Sequence, residues 1–278
     1  MSSPSVEITV LVDNNIRPGL MAEHGFSLWI ETDDQRILFD TGQGAALAFN
    51  APALGVDLSR TDALVLSHGH YDHTGGIPLV VNGAGKVHVY CHSGAVTPHY
   101  AIRNGTSASI GMPRASMSAI DHLPSPRLHW VQQPLMLTER IGITGPIPRK
   151  TSYEDSGGPF FLDPEGHRAD PVEDDLAIWI QTDLGLVVCV GCAHAGVVNT
   201  LNHARHLSGE PKVRAVIGGF HLNAASRQRL DQTIADLDAM DIETIIPCHC
   251  TGDEAVGILG DALGRRVSAG SAGEAYRF

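Results

Sequence analysis

No stretch of about 18 apolar residues occurs in the 278-residue chain, so no membrane-spanning helix is expected. The opening MSSPSVEITVLVDNN lacks the basic-then-apolar layout of a secretion leader, and a cytoplasmic address is expected. Basic residues are short: 19 Lys and Arg face 31 Asp and Glu, a formal net charge of −12 with histidine neutral. Such a chain is a poor partner for nucleic acid, whose phosphates attract Lys and Arg. Bound divalent cations would offset part of the charge, and a locally positive site leaves small anionic ligands open.

Cysteines are few and odd in number: Cys91, Cys189, Cys192, Cys248 and Cys250. That count argues against a secreted disulfide framework. The spacings Cys189-x-x-Cys192 and Cys248-x-Cys250 invite a structural zinc, but Cys189 falls inside a strand-like apolar run; small buried side chains are the plainer reading. Neither a G-x-S-x-G elbow nor a P-loop is present, so nucleophilic-serine and Walker-type chemistry are not indicated. The glycine pair Gly42-x-Gly44 is too little for a dinucleotide fingerprint, although a helix start there suits an anion.

Histidine, by contrast, is plentiful, with 15 copies. Several end apolar runs, where chains leave a sheet and ligands gather. The runs VEITVLVDN, FSLWIET, QRILFDTG, DALVLSHGH and KVHVYCH read as strands, with a helix over GAALAFNAPALG. The second half alternates LAIWIQT, LGLVVCVGC, VRAVIGGF and ETIIPCHCTG with helices over VVNTLNHARHL, SRQRLDQTIADLDAMD and DEAVGILGDALG. This order predicts a layered α/β fold. Residues 98–170, rich in Pro, Gly and Ser with only short strand-like pieces, are expected to form an irregular, substrate-facing insertion in a single domain spanning 1–278.

The densest cluster is SHGHYDHTGG, residues 67–76. His68 and His70, two apart after a strand, point the same way and can meet one ion. Asp72 and His73, where the chain turns toward a helix, can face a second. Three imidazoles and a carboxylate suit zinc, and also iron or manganese.

This H-x-H-x-D-H pattern followed by Gly-Gly, with Asp40-Thr41-Gly42 one element earlier, resembles the signature of the metallo-β-lactamase superfamily. The resemblance implies a four-layer αβ/βα sandwich with a metal site at the sheet edges. It also implies that His68 and His70 bind a first ion with a third histidine, and that Asp72 and His73 bind a second with His249 of PCHCTG. His194 of GCAHAG is the best remaining ligand. Many relatives carry a histidine in a loop where 143–148 stand here without one, then a bridging aspartate where 191–194 offer Cys192 and His194. Whether Cys192, His194 or water fills that place stays open at this point. Asp40 is expected to orient a ligand imidazole. His92 is a candidate for the outer shell or for substrate, and Asn15 and His24 for substrate. His221 of GGFHL is the candidate proton donor, substrate contact or ligand. His99, His122, His129, His167, His203 and His206 read as surface or packing residues.

The wider set LVDNN, EHGFSLWIE, GCAHAG, GGFHL and PCHCTG is similar to the branch that includes dihydropterin ribofuranosylaminobenzene 5′-phosphate synthase. The expected activity is dinuclear metal-dependent hydrolysis of a small ester or phosphoester, pterin- or ribose-phosphate-related substrates included. A metal-bound hydroxide is the expected nucleophile and Asp72 its orienting carboxylate. A di-iron oxidoreductase and a non-catalytic sensor of the same fold are the alternatives. The first fits less well, because such relatives carry a glutamate where His70 stands and a flavin domain.

Overall fold

A computed structural model describes residues 6–278; the opening MSSPS, part of the leader reading, lies outside them. Along the first half run strands β1 (Glu7–Val12), β2 (Ser27–Glu31) and β3 (Arg36–Phe39), helix α1 (Ala45–Ala53), β4 (Ala63–Val65), helices α2 (Tyr71–Thr74) and α3 (Ile77–Gly83), and β5 (His88–Cys91). The middle holds β6 (Tyr100–Arg103), β7 (Thr106–Ser109), α4 (Arg114–Asp121), β8 (Leu128–Trp130), β9 (Leu135–Met136), β10 (Ile141–Ile143) and β11 (Phe160–Phe161). The second half adds β12 (Ala177–Thr182), β13 (Gly185–Val190), α5 (Val197–Ser208), β14 (Val213–Gly219), α6 (Arg227–Ala239), β15 (Thr244–Cys248), α7 (Asp253–Leu263) and β16 (Ala275–Arg277).

Two sheets form the centre, in the orders β16-β1-β2-β3-β4-β5-β8 and β15-β14-β13-β12-β10-β9. Their strands are apolar on both faces, because each sheet is covered twice. Alternate residues divide the work. Ile8, Leu28, Ile37 and Val65 of one sheet meet Ile178, Val187, Ile217 and Ile246 of the other. Trp29, Leu38 and Leu64 point outward under Leu47, Ile77 and Ile120 of α1, α3 and α4. Val188, Val216 and Ile245 point outward under Leu201, Leu237 and Leu259 of α5, α6 and α7. The result is the expected four-layer α/β sandwich.

Residues 98–170 depart from the irregular insertion expected of them. β8 joins the first sheet beside β5, and β9 and β10 extend the second. α4 joins the outer helix layer. Only β6, β7 and β11 stand apart, as a three-stranded sheet. β8, β9 and β10 fall within short strand-like pieces of the sequence, whereas β6, β7 and β11, two to four residues long, are too short for a periodicity to register. Cys189 and Cys248 lie between the two sheets, so neither paired-cysteine spacing presents both sulfurs to one ion.

Every parallel strand of the two sheets delivers its carboxyl end to one edge of the sandwich. β3 leads to Asp40, β4 to Ser67 and the histidine cluster, β13 to Cys192 and His194, β14 to His221 and β15 to His249. Four of these exits pass through a non-glycine residue at positive φ: Asp40 (61°), Ala193 (45°), His221 (49°) and His249 (48°). That region is costly for side chains and concentrates at functional sites.

Candidate metal centre

His68, His73, His194 and His249 are buried at the shared edge, and each has one ring nitrogen committed to a protein acceptor. His73 Nδ1 donates to Asp40 Oδ2 at 2.7 Å. His194 Nδ1 donates to the Ser156 carbonyl at 2.8 Å, and His249 Nδ1 to Asn14 Oδ1 at 2.9 Å. Ser67 Oγ donates to Asp40 Oδ2 at 2.6 Å, so at 2.8 Å from His68 Nδ1 it accepts. In a neutral ring, a proton fixed on Nδ1 leaves Nε2 as the free lone pair.

Those Nε2 atoms converge. His68 Nε2 and His194 Nε2 lie 3.3 Å apart. Burial holds both rings well below the usual histidine range, so both are neutral. Two lone pairs that close repel unless a cation sits between them. His70 Nε2 is buried and has no hydrogen-bond partner among the described residues, and burial lowers its ring to about 3. A buried imidazole nitrogen left bare is costly and is what a metal would satisfy. Its ring stands 4.5 Å from that of His68 and 4.9 Å from that of His194.

A second group lies beside the first. Asp72 Oδ2 is 3.3 Å from His249 Nε2, 3.2 Å from His24 Nε2 and 4.0 Å from His73 Nε2. Burial works against the Asp72 charge, but His73 and His249 outweigh it and hold the carboxyl well below its ordinary range. Burial likewise pulls His73 down, yet Asp40 and Asp72 lift it to about 9 in the metal-free chain. Cys192 Sγ, 3.1 Å from His73 Nε2, falls within 4.8 Å of the ring nitrogens in both the His68–His194 and the His73–His249 pairs. The donor set of imidazole, thiol and carboxylate fits a divalent metal.

The surrounding loops are pinned by groups that the sequence reading passed over. Asp13 Oδ1 accepts from His249 N at 2.7 Å. Asp174 accepts from Gly69 N, inside the H-x-H turn, and Asp175 from Ala195 N, just past His194, both at 2.7 Å. Burial raises Asp13 to about 6 and Asp175 to about 7. Glu154 caps α5 by accepting from Val198 N and Asn199 N, which carries the Ser156 carbonyl to His194. Gly191 has no substitute: a Cβ there would overlap Ser67 Oγ.

His99 is not on the surface. It donates to Asp170 at 2.6 Å and to the Gly94 carbonyl at 3.2 Å, and its ring meets that of His70 edge-on at 5.5 Å. With both nitrogens donating, this ring is charged. Burial opposes that, but Asp170 and Asp174 raise it. His92, expected near the centre, is not there. Its Nδ1 accepts from Gly94 N at 3.0 Å, closing a tight turn after β5, and it lines a separate cavity of about 350 Å³.

The main cavity, about 770 Å³, opens over the cluster. Asn15, His24, His70, Asp72, Cys192, His221, His249 and Cys250 line one side, and β6, β7 and Phe160 of β11 the other. Its size suits a small molecule. His221 stands at its wall, with Nδ1 buried and without a hydrogen-bond partner among the described residues and the ring 4.5 Å from that of His194. Burial lowers its basicity, but Cys250 raises it further, for a net upward shift. Asn15 is held loosely by Asp253 at 3.4 Å. Among the described residues, no helix is long and apolar enough to cross a membrane.

Residues 21–249 match the family model described as the metallo-beta-lactamase superfamily. The chain is 31% identical, over 84% of its length and 83% of the relative's, to 7,8-dihydropterin-6-methyl-4-(beta-D-ribofuranosyl)-aminobenzene-5′-phosphate synthase of Methanocaldococcus jannaschii. An uncharacterized protein of the same organism is 32% identical over 90% of this chain and 92% of its own. The crystal structure of Tm1679, described as a metal-dependent hydrolase of the beta-lactamase superfamily, superposes with a TM-score of 0.81 at 28% identity, covering 98% of each chain.

Proposed function

The chain belongs to the metallo-beta-lactamase superfamily, and from that premise we propose that it is a dinuclear metal-dependent hydrolase of a small ester or phosphoester. One observation carries the reading: four buried imidazoles spend Nδ1 on protein acceptors and turn Nε2 toward Asp72 and Cys192. His68, His70 and His194 would hold one ion, and Asp72, His73 and His249 the other, zinc first, with manganese or iron as the alternatives. Such ions supply an activated water and polarise the bond under attack.

The chain's own groups do the rest. Asp72, ionised and at the cavity wall, orients the attacking water and accepts hydrogen bonds from it. His221 delivers a proton to the departing oxygen, being raised in basicity and facing the same cavity. Asn15 and His24 contact the substrate from the rim. Phe160 packs edge-on against His194 at 5.4 Å and keeps that side of the cavity apolar.

The first test is elemental analysis of protein purified without chelator, followed by a phosphodiester, lactone and thioester panel. Near two equivalents of metal and turnover in one class are expected; metal near zero with full activity would sink the proposal. His221→Ala is expected to lower kcat by about 10²–10⁴ on substrates with poor leaving groups and much less on a nitrophenolate ester, which needs no proton. Equal losses on both would remove His221 from the donor role. The relative named as a synthase favours a second reading, bond formation on a ribose phosphate at the same centre. Two bound metals with no hydrolysis anywhere in the panel would favour it.

A further inference from the structure

Cys192 is common to two donor groups, His68–Cys192–His194 and His73–Cys192–His249, in each of which all ligand atoms lie within 4.8 Å. The residue is 3% exposed, and its Sγ is 3.1 Å from His73 Nε2. A third group, Cys192–His221–Cys250, sets a second thiol beside the first, nearer the cavity. Asp72 is the one carboxylate in any of the groups drawn from the cluster, so the centre is poor in oxygen ligands.

We propose that Cys192 is a thiolate shared by both ions, and that it makes the centre select zinc, cobalt(II) or cadmium over manganese(II) and magnesium. This rests on the dinuclear reading above. Thiolate is a soft ligand that prefers borderline and soft ions, whereas manganese and magnesium prefer oxygen. Loading exchanges a proton for metal at sulfur: the Cys192 S–H bond breaks, a sulfur–metal bond forms, and the proton leaves to solvent. No oxidant or reductant enters. The burial that disfavours a bare thiolate here is offset once cations are its neighbours.

Cobalt(II) loading of the metal-free, full-length protein tests this without assaying turnover. Two equivalents should bind with an intense thiolate-to-cobalt charge-transfer absorption. Cys192→Ser should lose that absorption, and Cys250→Ser should keep it. In competition, zinc should displace manganese at least tenfold more readily in the wild-type chain than in Cys192→Asp. Two equivalents of cobalt without the absorption, or an absorption that only Cys250→Ser removes, would overturn the shared thiolate while leaving the dinuclear reading intact. No cobalt uptake would overturn both. Should the Cys192 variants fail to fold, X-ray absorption of the zinc-loaded Cys250→Ser protein decides, since that variant removes the second nearby thiol. One shared sulfur gives an average of one sulfur at about 2.3 Å per zinc. Half that value, or none, overturns the proposal.

Discussion

Replacing His68 by alanine is expected to cost more than about 100-fold in turnover and to strip metal from the first group, with the fold retained. Loss of an outer-shell partner already costs 10–100-fold in a metal site, and His68 stands closer in than that. The fold should survive because the deleted ring faces His194 Nε2 lone pair to lone pair at 3.3 Å. In the metal-free chain its removal relieves a repulsion, against the cost of a small cavity and a lost Ser67 contact. His249→Ala should do the same to the second group, since that ring faces Asp72 at 3.3 Å. Metal stoichiometry, circular dichroism and kcat/KM on the same preparations check this. Activity within a few-fold of wild type would exclude the cluster as the catalytic centre.

The reasons these residues were legible in the sequence are particular. SHGHYDHTGG follows a buried strand, so the spacing of His68 and His70 translates directly into a common direction. His194 and His249 also close apolar runs, but it is the family resemblance that singles them out as ligands, and the fold brings both to the same edge as His68 and His73. Asp13, which follows β1 and holds the His249 backbone, carries the same signal in VLVDN, though no neighbouring ligand type marks it out. His92 carried it too and misled, because its ring turns back to cap Gly94. Beyond a strand end, direction depends on φ, and the positive values at Asp40, Ala193, His221 and His249 leave no mark in residue identity. His99 and Asp170 are 71 positions apart, and no local pattern pairs them. The bridging place, open among Cys192, His194 and water in the sequence, is a question of the fold, where two histidine pairs meet at the Cys192 sulfur.

Asp40→Asn is the second change with a large expected effect, because one buried carboxylate organises both groups. Asp40 accepts from Ser67 N at 2.7 Å, Ser67 Oγ at 2.6 Å and His73 Nδ1 at 2.7 Å. An amide has one oxygen, and its NH₂ would meet a donor at the other position. His73 can answer by moving its proton to Nε2, which is the nitrogen the metal needs. Metal affinity should fall 10–100-fold at the second group, with a smaller loss at His68 through Ser67. A proton count separates this from general damage. In the metal-free wild-type chain His73 titrates at about 9, so loading at pH 7.5 expels a proton from it; in the variant that proton is gone. Calorimetry in buffers of different ionisation enthalpy should show about one proton fewer released. Stability of the metal-free chains gives the matching trend. The folded pKa of His73 lies above the unfolded value, so its pairing with Asp40 contributes fully below about pH 6.5 and is lost as pH rises through about 9. Breaking a buried pair costs about 3–5 kcal/mol, so wild type should exceed the variant most at pH 6, with the gap closing toward pH 9. A gap that widens with pH, or proton release identical in both chains, would show that Asp40 does not set the His73 proton.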